Sequence, residues 1–278
     1  MRLADAAAHF DNTLCADAFA PTTQFYGQLD LYDDSRRDGS TVVRRILSVA
    51  PSVAIPARRA LTIDGEQWLV GGFQADSFAG SAVRHKYVLH RADGAATIQS
   101  VAQALSTGGT PTYGAKLWVK DFKEVDVSSK LFAFVNIYLP TPETVVEGQL
   151  IALGGRLHFV RNTFVSAAGF LVAESDELAS DALTTGSYAV ATYAPATDTN
   201  TLAAGVAVNV LQTRYQDDYR YQNQVEPRFK EGDIKAFVTK AAIATAKSGD
   251  QLTIGATAWL VHSVLDEGTS WGLHLRHV

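Results

Sequence analysis

The sequence predicts a mainly β (α+β) protein made of three tandem, small antiparallel β-barrel or sandwich units. The first observation is a ten-residue phrase, LTIDGEQWLV at 61–70, which returns as LTIGATAWLV at 252–261 and, with other side chains, as IALGGRLHFV at 151–160. The second is that apolar strand-like segments flank each copy in matching order, which indicates repeated units of 1–98, 99–185 and 186–278. The third is composition: 47% of the 278 residues are hydrophobic, enough for a large core.

Short helices are predicted before the first two units. Before unit one, five apolar residues fall at helical spacing: Leu3, Ala7, Phe10, Leu14 and Ala18. Cys15, within the same helix, is interpreted as a small packing residue. Before unit two, Asp93 is the expected N-cap and Gly108 the expected stop of a helix whose apolar face is Ile98, Val101, Ala102 and Leu105. A weaker helical pattern, DELASDALTTG at 176–186, precedes unit three.

The phrase itself reads as strand, tight turn, strand. Its turn is expected at Asp64-Gly65, because those residues tolerate positive φ, and at the matching pairs Gly154-Gly155 and Gly255-Ala256. Alternation then places corresponding side chains on one face as anchors of the core. These anchors are Ile63, Trp68 and Val70 in unit one, Leu153, His158 and Val160 in unit two, and Ile254, Trp259 and Val261 in unit three.

Charge and cysteine content argue against several classes of protein. The net charge of −5 is spread evenly, so no basic surface for sequence-specific nucleic-acid binding is expected. A single cysteine excludes an intramolecular disulfide and a cysteine-rich metal site. The start of the chain does not read as a signal peptide, and no apolar run has the length of a membrane helix, so folding in the cytoplasm is expected.

The sequence predicts neither catalysis nor a bound cofactor or metal. It contains no Walker-type phosphate loop, HExxH or GxGxxG motif. His85 and His90 point to opposite faces of a predicted strand, while His262 and His274 can face each other across a hairpin without a third ligand. Paired acids such as Asp217-Asp218 lie beside arginines, which is typical of solvated loops.

One stretch carries a family resemblance. Residues 249–261, GDQLTIGATAWLV, followed by a charged hairpin tip and the last strand WGLHLRHV, are similar to the ending of the small β-barrel connector proteins of tailed bacteriophages, the head-completion or stopper proteins. Such proteins usually carry one barrel, whereas this chain has three copies of the phrase. The resemblance implies a virion structural protein, assembled in the host cytoplasm, that forms a homomeric ring at the portal or neck. Its partners would be itself, the portal and tail proteins, and DNA passing through the lumen without sequence reading.

Three charged segments that follow the first strand of each unit are candidates for contacts between chains. They are YDDSRRDGS at 32–40, KDFKEVDVS at 120–128 and RYQDDYRYQNQ at 214–224, and the residues expected at the interface are Arg36, Arg37, Asp217, Asp218 and Tyr219. Solvated hairpin ends are the simpler interpretation of the same segments.

Two other functions stay open from the sequence. A tail-tip module for receptors or carbohydrate would use Trp68, Trp259 and Trp271 or the tyrosine-rich segment as stacking surfaces. A glycoside hydrolase would use acidic loop residues. Burial of the tryptophans would favour the structural protein over the carbohydrate-binding module.

Overall fold

A computed structural model describes residues 13–31, 43–56, 58–107, 116–127, 130–140, 144–196, 198–214 and 232–277. The described chain is mainly β, in antiparallel sheets that form barrels, which confirms the predicted fold class. The segments 32–40 and 214–224 lie wholly or almost wholly outside these residues. Arg36, Arg37, Asp217, Asp218 and Tyr219 are among the residues outside the description.

The first barrel contains six strands. They are β1 (Thr13–Asp17), β2 (Gln24–Leu31), β3 (Arg44–Val49), β4 (Ala60–Ile63), β5 (Glu66–Phe78) and β6 (Ser81–Arg91). Their order in the sheet is β1-β2-β3-β6-β5-β4, and pairing of Cys15 with Ile63 between β1 and β4 closes it. Closure matters because it removes the free strand edges that an open sheet would expose.

The second barrel has six strands in the same order. Its strands are β7 (Gly94–Ser100), β8 (Lys116–Val127), β9 (Lys130–Leu139), β10 (Gln149–Leu153), β11 (Arg156–Val165) and β12 (Leu171–Glu177). They run β7-β8-β9-β12-β11-β10, so each strand has the same neighbours as its counterpart in the first barrel. A helix, α1 (Val101–Thr107), follows β7.

The third barrel has the same order with one insertion. Its strands are β13 (Leu183–Ala189), β16 (Val206–Arg214), β17 (Ile234–Thr239), β18 (Gln251–Ile254), β19 (Thr257–Asp266) and β20 (Ser270–His277), with β14 (Ala191–Ala194) and β15 (Thr199–Leu202) as a separate hairpin. The barrel runs β13-β16-β17-β20-β19-β18, and β18 pairs with β13 to close it.

The chain divides into two compact units. The first comprises 1–98 and 113–177 and holds the first two barrels; the second comprises 99–112 and 178–278 and holds α1 and the third barrel. Within the second unit α1 lies against β16 and β17, where Asn209 donates its side-chain amide to the carbonyl of Leu105 at 2.6 Å. The predicted boundaries at 98 and 185 fall inside β7 and β13.

The helix predictions were wrong in position. Thr13–Asp17, expected in the first helix, is strand β1, and Cys15 there is buried against the barrel core. The ladders that β1 forms with β2 and β4 outweigh its helical spacing, as tertiary pairing often does. The segment 183–186, expected at the end of a third helix, begins β13, and 176–177 ends β12.

The second helix is shorter than predicted because 94–100 forms a strand. Its N-cap is Ser100 rather than Asp93: Gln103 N donates to Ser100 Oγ at 3.2 Å, and Ser100 N donates to Gln103 Oε1 at 3.0 Å. This reciprocal pair is a capping box, which sets the start of α1. In sequence the helix lies between β7 and β8, the first two strands of the second barrel, rather than before them.

Candidate functional site

The repeated phrase forms the same hairpin in each barrel, as predicted. Leu61 pairs with Trp68, Ile151 with His158 and Leu252 with Trp259, so the three registers are identical. Positive φ at Asp64-Gly65, at Gly154-Gly155 and at Gly255 makes each turn tight. The hairpin is therefore one structural unit used three times.

The anchor residues differ in burial between barrels. Trp68 is 3% exposed and packs in the first core with Ile63 and Val70. In the second set Leu153, His158 and Val160 are buried. In the third barrel Val261 is buried, whereas Ile254 and Trp259 are half-buried and pack against the core from its margin.

A β-bulge follows the last valine of every phrase. The register shifts by one residue between Val70 and Phe73, between Val160 and Asn162, and between Val261 and Ser263. An extra residue at this place bends the strand and increases its twist, which helps a six-stranded sheet to curl closed. A bulge leaves no periodic signal in the sequence, so it was not predicted.

Asp250, which precedes the third phrase, is a buried carboxylate that holds three segments together. Its Oδ2 accepts hydrogen bonds from Tyr188 Oη at 2.6 Å and Lys247 N at 2.9 Å, and its Oδ1 accepts one from Ala191 N at 2.8 Å. Burial and the bond to Asp250 raise the pKa of the Tyr188 hydroxyl, which keeps it a donor. Gly249, at φ 94°, lets the chain turn into this site.

A second buried carboxylate, Asp233, lies at the start of β17. His274 Nε2 donates to its Oδ2 at 2.6 Å, and Arg276 binds both oxygens at 3.1 and 3.3 Å. Burial lowers the pKa of His274 despite the opposing effect of Asp233, so the imidazole is neutral at pH 7. The ring of His262 meets that of His274 edge-on at 5.0 Å, as expected for a pair across a hairpin.

Within the first compact unit, the turn between β11 and β12 packs on the first barrel. Gly72 N donates to Ala168 O, and Phe170 is buried against Leu69 while its ring stacks on His90 at 4.0 Å between centroids. A Cβ on Gly71 would lie 2.8 Å from the Phe170 ring and closer still to the Ala168 carbonyl. Glycine at the bulge is thus what allows the two barrels to touch.

His90 is the titratable group of this contact. Its ring also lies 5.2 Å from that of Tyr138, and its Nδ1 has no hydrogen-bond partner among the described residues. Burial, with a smaller contribution from Arg44, lowers the pKa of His90 to about 3. His85 is on the other side of the strand and packs at 5.0 Å on Phe73 instead, so the two histidines are separated as predicted.

The hairpin of β5 and β6 extends beyond the first barrel and carries exposed aromatic residues. Phe73 is 56% exposed and Phe78, beside the turn, is 79% exposed. An ion pair of 2.8 Å between Lys86 and Asp76 links the two strands along the hairpin. The end of this hairpin therefore leaves phenyl rings exposed that no described part of the chain covers.

The charged segment expected at 120–128 is mostly strand rather than a hairpin tip. Lys120–Val127 belongs to β8 and pairs with β9 up to Lys130. The other two charged segments connect β2 to β3 and β16 to β17, which are corresponding strands of their barrels. The prediction that these connections bind other chains stays a prediction.

One motif was overlooked. Residues 268–272, GTSWG, match GxSxG, the pattern of hydrolase nucleophile elbows. Here Ser270 is buried and begins strand β20, whereas a nucleophile elbow leads from a strand into a helix with the serine exposed. The match is therefore a hairpin turn and the start of a strand.

Compared with known proteins, the chain matches no family model, no curated protein and no solved structure. In the part of the chain that the structure describes, no cluster of three or more His, Cys, Asp or Glu side chains is arranged to hold a metal ion. No helix among those residues is long and apolar enough to span a membrane.

Proposed function

We propose that the chain is a structural protein of a tailed-phage virion that forms a homomeric ring at the portal or head–tail junction. The ring joins head to tail and leaves a channel for DNA. The observation that carries this proposal is the role of the connector-like stretch 249–261. Asp250 ties β18 to β13 and β14, and the phrase that follows it forms the hairpin that completes the barrel.

The use of the buried acids supports a structural role. Asp250 accepts three hydrogen bonds and Asp233 is held by His274 and Arg276. A general acid or base must exchange a proton with a substrate within hydrogen-bond reach. Carboxylates that are enclosed and saturated by the protein's own donors instead fix the positions of strands.

The tryptophans favour this proposal over a carbohydrate-binding module. Trp68 is enclosed in the first core. Trp271 donates Nε1 to Ile243 O at 2.9 Å, and Lys240 Nζ lies 4.4 Å from the centre of its ring. Trp259 packs on the third core and meets His277 edge-on. Stacking on a sugar needs an open ring face, and these rings are used within the protein.

The mild negative charge suits a channel. A net charge of −5 without a basic domain gives passing DNA few phosphate-binding sites, so the duplex can slide. Exposed aromatic residues on a rigid barrel supply the surface that ring contacts require.

Quantitative mass spectrometry and immunogold labelling of purified virions test the proposal. We expect a fixed, small number of copies per particle, and gold at the neck between head and tail. Presence in the infected-cell lysate without incorporation would contradict a structural role. Gold at the distal tail tip would favour the receptor-binding alternative.

A further inference from the structure

The contact between the first two barrels joins two different surfaces: a donor turn on the second barrel and an acceptor face on the first. The donor is the turn between β11 and β12, which presents Phe170. The acceptor face is defined by Ala60, Leu69, Gly71 and His90 of the first barrel, and under Phe170 Leu69 is 0% exposed. Donor and acceptor are different surfaces of barrels with the same strand order, so the contact is of the head-to-tail type.

The first barrel has its own donor hairpin, and its aromatic residue is exposed. The turn between β5 and β6, at Ala79-Gly80, corresponds to the turn between β11 and β12. Phe78 precedes this turn, whereas Phe170 follows its own, yet both carry a phenyl ring at the hairpin end. Phe78 is 79% exposed, while Phe170 is 1% exposed.

The third barrel has the corresponding acceptor face, and it too is exposed. Leu260 follows Trp259 and pairs with Arg276, as Leu69 follows Trp68 and pairs with His90. The two leucines therefore occupy equivalent positions. Leu260 is 39% exposed, and Leu265 farther along β19 is also exposed.

We propose that the Phe78 turn of one copy docks on the Leu260 face of the third barrel of a second copy. Phe78 and Leu260 are thus exposed counterparts of the two surfaces that meet within the first compact unit. Repetition of one such contact closes a ring when the rotation per copy permits, and otherwise extends a filament. The proposal adds a specific surface to the ring proposed above.

The chemistry of the two faces fits this pairing. Phe78 supplies a large apolar ring, and Leu260 and Leu265 supply aliphatic side chains. The bulge position of Gly71 is occupied by His262 in the third barrel, so the backbones cannot approach as closely as they do in the first unit. Arg276 occupies the position of His90 in the third barrel, and the aromatic ring offered to the incoming phenyl group is that of the exposed His262 at the bulge.

Cysteine cross-linking between two variants tests the pairing. The native Cys15 is fully buried, and burial raises its pKa to about 12, so it does not compete. Phe78→Cys and Leu260→Cys chains carrying different tags are mixed and treated with a short bismaleimide. We expect a covalent dimer containing both tags, at least ten-fold above the yield from Phe78→Cys mixed with Tyr193→Cys. Tyr193 is a matched control because it is 55% exposed on the separate hairpin β14–β15.

Sedimentation velocity of Phe78→Ser gives the second readout. Phe78 is exposed, so the variant folds, and we expect its self-association to weaken at least ten-fold. Equal cross-linking to Leu260 and Tyr193 positions, or unchanged self-association of Phe78→Ser, overturns the proposal. The latter result would mean that a different protein covers Phe78. These measurements use the purified chain, so their failure is distinguishable from absence of the protein from virions.

Discussion

Replacing Asp250 with alanine removes the buried carboxylate that ties β18 to β13 and β14. Three donors lose their acceptor: the hydroxyl of Tyr188 and the backbone amides of Ala191 and Lys247. Hydrogen bonds to a charged group contribute roughly 1.5–3 kcal/mol each, and they are not fully additive. We therefore expect Asp250→Ala to lower the free energy of unfolding of the second compact unit by about 4–6 kcal/mol.

The chain contains a matched control for this prediction. Tyr193 Oη donates to Asp198 Oδ1 at 2.7 Å, almost the same geometry as Tyr188 and Asp250, but on an exposed hairpin. Water replaces the lost partner there, so Asp198→Ala should cost only the backbone strain of alanine at the left-handed φ of 49°, far less than Asp250→Ala. The comparison separates burial from the chemistry of a tyrosine–aspartate pair.

Urea denaturation followed by circular dichroism, together with hydrogen exchange of peptides containing Ala191 and Lys247, measures the effect. Exchange should accelerate at these amides in Asp250→Ala and remain slow in Asp198→Ala. A double-mutant cycle with Tyr188→Phe should give a coupling energy of about 1.5–3 kcal/mol. Equal stability of the two aspartate variants would refute the assignment of Asp250 as a structural anchor.

Three further predictions concern other parts of the chain. The pKa of about 3 for His90 lies below the unfolded value near 6.5, so its stabilising effect is present above pH 6.5 and is lost as the pH falls toward 3. The free energy of unfolding, measured by urea denaturation, should fall by about 2 kcal/mol more between pH 7 and pH 5 in the native chain than in His90→Phe, and equal decreases would contradict this. Gly71→Ala should destabilise the first unit by about 1–3 kcal/mol in a thermal melt. Gly72→Ala should cost less, because its Cβ would lie 3.4 Å from the nearest atom, the carbonyl oxygen of Ala168. Equal melting shifts in the two variants would contradict the close approach at Gly71. Charge reversal of Arg36 and Arg37 together should preserve the circular dichroism spectrum but weaken incorporation into particles, and unchanged assembly and infectivity would remove this segment from the interface.

The repeated hairpin could be read from the sequence because all its signals are local. Leu61 and Ile63 alternate along one strand, Asp64-Gly65 supplies the turn, and Trp68 continues the same face. Strand alternation and turn chemistry act over a few residues, so a ten-residue segment determines the register of the two strands of the hairpin.

The closure of the barrels and the positions of the helices depend on contacts between residues far apart in sequence, so they were harder to predict from the sequence. Cys15 lies in a strand because it pairs with Phe25 and Ile63, and nothing in its own neighbourhood indicates those partners. The capping box of Ser100 and Gln103, by contrast, was visible as S-x-x-Q and could have corrected the start of α1.

The polar sites show the same division. The hairpin pattern in the sequence predicted that His262 faces His274. Asp233, the carboxylate that binds His274, lies 41 positions from His274 in sequence and was not predicted. Asp250 accepts one of its hydrogen bonds from Ala191, at the start of the insertion β14–β15, and no local pattern in the sequence indicated this contact. Long-range pairing, rather than residue type, decides which acids become structural.

Negative-stain electron microscopy of the purified chain tests the central claim most directly. We expect closed rings of uniform diameter, with a central opening wide enough for duplex DNA, at micromolar protein concentration. Rings should disappear in Phe78→Ser and persist in Tyr193→Ser, since only the former residue is assigned to the contact between copies. A native chain that remains monomeric over the whole concentration range, alone and in the presence of portal particles, would contradict the proposed ring.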